Sequence, residues 1–381
     1  MQEKINVIVV GGNHHNMLGV VRALGKKNII SNTIITCNDK YSFVSKSKYI
    51  KKYVIISENE DEILKSLNEM FVKNKRNVII TTSDFAALVI DKNYDLLKDK
   101  FILPSINNKA NNIIKYMDKY EQSKLASEYK IKHAKSKKID LNKDNLNKIV
   151  SEFSYPCILK PNISAIGSKD DITICHNEKE LNLAFSKFIN LNYTEVILQE
   201  YIDYDKECGL IGCIHNGNII LPGIIEKERI YPAKRGNVSY GLIKNNDNNT
   251  DILNIVSLLK HINYSGMFDI EVFNYKNNYY LNEINFRNSG NSYAYVYGNV
   301  YLVYLWVLVV SGYGIDDENI KTNKEYYFKD EILELKQLIH HNISIFDWFM
   351  ALIKSKGCFL LDMIDFKPAL FKFIYAIKHR L

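Results

Sequence analysis

Apolar residues recur along this chain with two periods, and the switching between them predicts the architecture. Ile5-Asn6-Val7-Ile8-Val9-Val10 is a nearly continuous apolar run, followed by Gly11-Gly12 and then a helical spacing through Leu18, Val21 and Leu24. A strand without polar alternation is covered on both faces, as in a parallel sheet. Further short runs over 33–37, 53–56 and 78–81 are separated by helix-period stretches. Strand–helix alternation of this kind predicts a doubly wound parallel sheet. From 107 to 148 the chain turns polar and helical, rich in Lys and Asn, which sets a boundary near Asn107. The expected division is 1–107, 108–196, 197–314 and a mostly helical remainder, 315–381. The longest apolar run, 300–310, is shorter than the roughly 20 residues that cross a bilayer and predicts a buried helix.

The third unit holds the most informative pattern. In Met267-Phe268-Asp269-Ile270-Glu271-Val272-Phe273, strand alternation sends Phe268, Ile270 and Val272 to one face and Asp269 and Glu271 to the other. After a polar turn over 274–278, Glu283, Asn285 and Arg287 share a face of the returning strand. A turn centred near Asn277 sets Glu271 opposite Glu283 and Asp269 opposite Asn285. Like charges placed opposite each other destabilise a sheet, so this face needs compensation. Mg²⁺ fits, since it takes oxygens from one or two carboxylates and fills its other positions with substrate phosphates. Arg287, a planar fork donor, would reach the same phosphate oxygens. A solvated strand face neutralised by Arg287 and nearby lysines is the competing reading.

Composition narrows the partners. The 381 residues are 46% hydrophobic and 24% charged, with a formal net charge of +7. A positive balance favours anionic substrates such as nucleotides. No Lys/Arg block with interleaved aromatics marks a nucleic-acid module. The six cysteines form no Cys-x-x-Cys pair and no zinc spacing; most sit in apolar runs and are expected as buried thiols. The first residues lead straight into a strand without a signal-peptide pattern, so a cytoplasmic protein is expected. Gly11, Gly12 and Gly19 do not make the spaced-glycine fingerprint of a nicotinamide site.

Several other segments carry candidate chemistry. Lys160 ends the apolar run Tyr155-Pro156-Cys157-Ile158-Leu159-Lys160-Pro161. A lysine on a buried strand is costly unless it meets a charge, such as a phosphate. The small-residue loop over 162–172 can cradle phosphate oxygens with backbone N–H groups, or can be an ordinary hairpin loop. Val196 to Ile202 is a strand ending in polar residues, followed by Asp203, Asp205 and Glu207. Such a strand-to-loop hinge can read an adenine edge, with Glu207 accepting from ribose hydroxyls. Thr82-Ser83-Asp84 lies where open α/β sheets bind ligands, or caps the next helix. Gly11, Gly12, Asn13 and His14 open a helix N-terminus, which favours anions. His14 and His15 read as a general base or as turn residues. Arg229, Lys234 and Arg235 suit a carboxylate, or form a solvated basic loop.

Taken in order, strand-Lys-Pro, small-residue loop, Gln199-Glu200-Tyr201-Ile202 hinge, Asp269-Ile270-Glu271 and Glu283-Ile284-Asn285-Phe286-Arg287 resemble the ATP-grasp superfamily of carboxylate–amine ligases over about residues 1–312. The last motif usually reads Glu-x-Asn-Pro-Arg, so Phe286 stands in the proline position, and the loop holds a single glycine, Gly167. The resemblance implies an N-terminal doubly wound α/β (pre-ATP-grasp) domain, then a two-subdomain α+β ATP-grasp fold and a helical C-terminal tail. It implies ATP and Mg²⁺ as cofactors, with Mn²⁺ as a substitute. By the same resemblance Lys119 and Lys160 bind ATP phosphates, with Ser164, Gly167 and Ser168 over them. Glu200, Tyr201 and Ile202 line the adenine slot and Glu207 holds the ribose. Glu271, Glu283 and Asn285 bind the metal, and Arg287 stabilises the transferring phosphoryl group. Gly12, Asn13, His14, Arg229, Lys234, Arg235, Ser289 and Gly290 are the substrate candidates.

The run Asn285-Phe286-Arg287-Asn288-Ser289-Gly290 looks most like the D-aspartate ligase branch, beside carbamoyl-phosphate-synthase-like members. The expected activity is an ADP-forming amino acid ligase in cell-wall or surface-glycan precursor metabolism. The alternative is a non-catalytic nucleotide-binding regulatory protein on the same fold. The expected partners are a small-molecule carboxylate and amine, with a homodimer also compatible. The tail carries Phe346, Trp348, Phe349, Phe371, Phe373 and Ile374 near Lys372, Lys378 and Arg380. A basic amphipathic helix of this kind can lie on a membrane surface, or pack against the body or a second subunit.

Overall fold

The computed structural model describes residues 4–39, 41–144, 146–162, 171–233, 236–245, 249–315 and 320–379. The chain opens with β1 (Ile5–Gly12), α1 (His15–Gly25), β2 (Ser31–Thr36), β3 (Ile50–Ile56), α2 (Glu60–Met70), β4 (Arg76–Thr81), α3 (Asp84–Lys92) and α4 (Tyr94–Leu97). The four strands are parallel in the order β3-β2-β1-β4, the doubly wound arrangement that the alternation predicts. Central β1 is buried because both faces are used: Val7 and Val9 pack in one core cluster with α1, Ile8 and Val10 in another with α2 and α3.

A short strand, β5 (Ser105–Ile106), and helices α5 (Asn112–Met117) and α6 (Lys119–Glu128) lead into a small unit. It comprises β6 (Ser136–Asp140), α7 (Leu146–Val150), β7 (Cys157–Pro161), β8 (Thr173–Cys175), α8 (Glu178–Asn190) and β9 (Glu195–Glu200). These strands form an antiparallel sheet in the order β6-β9-β7-β8. Leu181, Phe185 and Phe188 of α8 close its core with Leu159 and Leu198.

The remaining elements build a nine-stranded sheet. They are β10 (Lys206–His215), β11 (Asn218–Ile220), β12 (Ile224–Tyr231), β13 (Asn237–Lys244), α9 (Thr250–His261), β14 (Tyr264–Tyr275), β15 (Asn278–Asn285), a 3₁₀ segment (Gly290–Gly298), α10 (Leu302–Val310), β16 (Tyr326–Lys329), α11 (Glu331–Ile339), α12 (Ile345–Lys354), β17 (Ser355–Cys358) and α13 (Lys367–His379). The sheet runs β15-β14-β10-β12-β13-β16-β17, with β11 on β10 and β5 on β14. The apolar run over 300–310 is the buried helix α10, with Trp306 and Val307 in the core; no single helix among the described residues is long and apolar enough to cross a membrane. All six cysteines are free thiols, four of them buried.

Beside its three helices, the C-terminal extension carries two strands, β16 and β17, that prolong the central sheet. It also packs back onto the start of the chain. Val7, Met17 and Trp306 share one core with Phe328 and Phe359. Arg22, fully buried on α1, donates from Nε to Asp365 Oδ2 at 3.0 Å and from Nη1 to the carbonyls of Phe359 and Leu360 at 3.0 Å. A buried charge survives only with such pairing and hydrogen bonding.

Candidate active site

The hairpin β14–β15 turns through Lys276 and Asn277, both at positive φ (50° and 64°). This is the backbone signature of the tight turn that matches strand twist. The turn pairs Tyr275 with Asn278 and Val272 with Leu281. That register would set Glu271 against Asn282, with Glu283 turned into the core. A β-bulge after Val272 removes the conflict: Glu271 pairs with Glu283, Ile270 with Ile284 and Asp269 with Asn285. Asn282 is the extra residue, and its amide lies 3.4 Å from Glu271 Oε2. Bulges of this kind re-aim side chains beside functional sites. The returning strand is then pinned by α6. Gln122 donates to the Ile284 carbonyl at 2.9 Å and accepts its N–H at 2.8 Å, as a neighbouring strand would.

Two lysines from other elements meet these carboxylates. Asp118 caps α6, accepting from the backbone N–H groups of Tyr120 and Glu121 at 2.8 and 3.0 Å. Asn162, just past β7, donates to the second oxygen of Asp118 at 2.6 Å, and its carbonyl takes the Lys119 N–H at 3.1 Å. This local clamp ties the start of α6 to the end of β7, and so brings Lys119 to Lys160. Lys119 Nζ lies 3.6 Å from Glu283 Oε1. Lys160 is buried; desolvation, then repulsion from Lys119, lower its ammonium from the ordinary value to about 8 against the pull of Glu283 and Glu271. A third lysine, Lys227 on β12, bridges the cleft by touching Glu207 and approaching Glu271 Oε1 at 3.3 Å. Burial opposes its charge, but Glu271, Glu207 and Asp269 together hold its ammonium above the usual range. Asp269 is pushed up, by burial first and by Glu271 second.

Mg²⁺ fits this donor set. Among the described residues no three His, Cys, Asp or Glu side chains gather as a metal cage, but two opposed carboxylates and an amide are what Mg²⁺ uses when phosphates supply its other ligands. The Asn285 amide N–H donates to the Asp269 carbonyl at 3.3 Å, which leaves its oxygen as the ligand-type atom.

Beyond the hairpin the chain meets the N-terminal unit. Arg287 donates from Nε to Asp84 Oδ1 at 2.7 Å and from Nη2 to Oδ2 at 3.5 Å. Asn288 is buried and exchanges bonds with Asn16, giving 2.8 Å to the Asn288 carbonyl and 2.5 Å to the Asn16 oxygen, while its N–H reaches the Thr81 carbonyl at 3.1 Å. Gly290 packs so closely that a Cβ there would meet His15 Nε2 at 2.5 Å. Burial and Lys372 push the His15 imidazole down to about 3, so its 3.7 Å approach to Asp330 joins a neutral ring to a carboxylate. His14 is held well below its ordinary value, by His15 first, then by burial and Lys372. Hairpin, α1 N-terminus and α13 thus converge on one corner.

Residues 124–294 match the family model of the ATP-grasp domain. The chain carries an ATP-grasp domain. Solved structures share the fold over most of its length. N5-carboxyaminoimidazole synthetase from Staphylococcus aureus, complexed with ADP, has 16% identity and a TM-score of 0.66, covering 86% of this chain and 83% of that one. The biotin carboxylase domain dimer of Hydrogenobacter thermophilus 2-oxoglutarate carboxylase, with MgADP, ADP and bicarbonate, has 19% identity and a TM-score of 0.65, covering 84% and 74%. N5-carboxyaminoimidazole synthase from Aspergillus clavatus, with ADP and 5-aminoimidazole ribonucleotide, has 14% identity and a TM-score of 0.67, covering 87% and 83%. At these identities the likeness shows the fold. No curated protein matches the chain.

Lys160, Glu271, Glu283 and Asn285 of the matched segment come together with Lys119, five residues before it, and Glu207 joins them through Lys227. Glu200, Tyr201 and Ile202 form the hinge between β9 and β10. The Glu200 carboxylate accepts the Lys135 N–H at 3.3 Å, and its own N–H donates to the Lys135 carbonyl at 2.9 Å. Ser164, Gly167, Ser168, Lys234 and Arg235 lie outside the described residues. Phe286, in the usual proline position, fills the core edge-on to Tyr264 at 5.0 Å.

The other substrate candidates have partners within the fold. Arg229 does not reach the cleft. It is taken up by Glu334 of α11, with Nε 3.1 Å from Oε1, and lies over the Tyr240 ring at 4.3 Å. Register shifts on either side of Arg229 in the β12–β13 pairing separate it from the face that Lys227 uses. The Asn13 side chain is committed to the 41–44 loop, donating to the Tyr41 carbonyl at 3.2 Å and accepting from Ser42 Oγ at 3.0 Å. His14 caps α1, its Nδ1 accepting the Asn16 N–H at 3.3 Å, while Gly12 ends β1. Ser289 caps the 3₁₀ segment, accepting the Asn291 N–H at 3.3 Å.

Sequence reasoning passed over Lys227, the partnership of Asp84 with Arg287, and Lys372. For Asp84, a position just past a parallel strand's C-terminal end was the available signal. For Lys372, nothing in the sequence linked α13 to the N-terminus of α1.

Proposed function

We propose that this chain is an ADP-forming carboxylate–amine ligase. A carboxylate oxygen attacks the γ-phosphorus of ATP and ADP leaves. The amine nitrogen then attacks the acyl carbon, phosphate departs with the C–O electron pair, and the nitrogen sheds a proton. The observation that carries this reading is the convergence of Lys119 and Lys160 with Glu271 and Glu283 in one cleft, whose far end is the Arg287–Asp84 contact. Chemistry of this type rests on positioning and charge neutralisation.

Lys119 and Lys160 hold the nucleotide phosphates as cations, and Glu271, Glu283 and Asn285 hold Mg²⁺. When bound, the metal neutralises charge on the phosphates. Lys227 keeps Glu207 and Glu271 in place until nucleotide and metal arrive, and Glu207 then serves the ribose. Tyr201 and Ile202 border the adenine slot. Arg287, poised by Asp84, serves the γ-phosphoryl group and the acyl phosphate. The carboxylate enters at the corner of His14, Ser289 and Gly290, where neutral His14 and His15 and cationic Lys372 receive an anion without a competing imidazolium.

The finer reading is an amino acid ligase acting on cell-wall or surface-glycan precursors, supported by the run Asn285–Gly290. Bicarbonate belongs among the candidate carboxylates because the biotin carboxylase domain of the same fold is complexed with it. The alternative, a non-catalytic nucleotide-binding regulator, leaves Arg287 no task beyond its ion pair with Asp84. Use of ATP suits a cytoplasmic location.

The test is release of ADP and phosphate from Mg·ATP with pools of D-amino acids, L-amino acids or bicarbonate, with Glu283→Gln as control. Turnover that needs one pool and disappears in the variant is expected. ATP binding without turnover for any pool, also in the presence of cell-wall precursors, would favour the regulator.

A further inference from the structure

Among the described residues, 23 large hydrophobic side chains are exposed, and 13 of them lie at or beyond residue 345. On α12, Ile345 is 74% exposed, Phe346 67%, Phe349 54% and Ile353 63%. Their spacing of one, four and eight places them in a single stripe along the helix. The helix itself is firmly built. Ser344 and Asp347 form a reciprocal capping box at its start, and Ala351 on the opposite side is buried. The stripe is therefore a presented surface rather than a frayed end. After β17, Met363 (90% exposed) and Ile364 continue the apolar character, as do Phe373 and Ile374 on α13.

The charges on this stretch are sorted. Each of its three aspartates is used within the fold: Asp365 by Arg22, Asp362 by Lys26 at 2.8 Å, and Asp347 by the capping box. Lys354, Lys356, Lys367 and Lys378 are exposed. Lys356, two residues past α12, also lines a cavity of about 530 Å³ with Lys321 and Lys324, wide enough for a phosphate headgroup. The stripe is apolar and flanked by lysines; the one exposed carboxylate between 345 and 379 among the described residues, Asp347, caps the start of α12 on the side away from the stripe.

We propose that α12, with the loop and helix that follow it, docks the protein on an anionic phospholipid surface. An apolar stripe flanked by lysines enters the headgroup region, with Phe and Ile at the acyl boundary and ammonium groups at the phosphates. A second copy is the less suitable occupant, because a two-fold contact through this face brings Lys354, Lys356, Lys367 and Lys378 toward their counterparts with one exposed carboxylate, Asp347, to offset them. The inference is independent of the reaction proposed above.

The test is co-sedimentation of the full chain with vesicles of phosphatidylcholine, with and without phosphatidylglycerol. Binding only to the anionic vesicles is expected, weakened by salt, and reduced about tenfold or more in Phe346→Ser/Phe349→Ser. Both side chains are exposed, so the thermal midpoint should be unchanged. Should that variant misfold, Lys354→Glu/Lys356→Glu reads the charge contribution alone. Absence of pelleting, or equal pelleting with neutral vesicles, overturns the proposal. So does a wild-type dimer that the serine variant converts to monomer without any lipid binding.

Discussion

Two buried polar clusters in this protein use similar residues to opposite ends. At the seam between α1 and the C-terminal extension, Arg22 has a partner for each donor nitrogen, including 2.7 Å from Nη2 to the Asp365 carbonyl. Asp365 in turn accepts from Ser47 Oγ at 2.7 Å and the Lys48 N–H at 2.9 Å. In the cleft, Lys119 and Glu283 stand 3.6 Å apart, Lys227 and Glu271 3.3 Å, while burial first of all moves the titration of Lys160 down and that of Asp269 up. A cluster whose every donor is spent on the fold offers a ligand nothing. One whose groups are poised by burial and by one another is organised for something that has yet to arrive. Burial alone does not separate the two.

The contrast can be broken from the seam first. Asp365→Ala leaves a guanidinium buried beside unanswered donors and should cost about 3–5 kcal/mol, read as a lowered thermal midpoint, with ATP affinity unchanged in the protein that remains folded. A change in ATP affinity without a change in stability would merge the two clusters into one functional unit.

Lys160→Met should do the reverse, weakening ATP binding while raising stability near pH 7 by up to about 3 kcal/mol, from a shift of roughly two and a half pH units. The sign follows from linkage. Its folded value, about 8, lies below the unfolded one, so the unfolded chain binds more protons and the wild-type penalty is full below pH 8. It fades as pH rises toward the unfolded value near 10.5. Denaturant melts of both proteins across this window should converge at the alkaline end, and wild-type ATP affinity should fall as pH rises through about 8.

Glu283→Gln should lower ADP release about a hundredfold, or about 2.7 kcal/mol, with little change in stability. Deleting Asn282 tests the bulge itself: Glu283 then follows Leu281 and the turn's own register sets it opposite Glu271 in an unbroken ladder, so turnover should be largely kept. The smallest effect belongs to Lys276→Gly, which relieves a side chain at positive φ and should alter stability by less than about 1 kcal/mol without touching turnover.

Much of this was legible in the residues. Parallel strands announced themselves through unbroken apolar runs, and opposed glutamates through period-two alternation. The turn is one residue tighter than expected, and the bulge restores the expected pairing. Its trace was present as a phase change: Tyr279 and Leu281 keep one phase, Ile284 and Phe286 the other. The pairing of Arg229 with Glu334 was not legible, because a local register irregularity in β12, invisible in composition, sets where its side chain goes. Asp84 with Arg287 and Lys372 with His14 are separated by hundreds of residues, and single-sequence periodicity carries no information about such meetings.

Arg22 and Asp365 stand 343 residues apart along the chain. During synthesis at about 5–20 residues per second, the first α/β layer emerges roughly 20–70 s before its counter-charge exists. Until then it either keeps the guanidinium wet, with α1 incompletely docked, or holds it unanswered in an apolar setting. A stretch made 343 residues later therefore completes the α1 layer, and termination anywhere between the two leaves that layer unfinished.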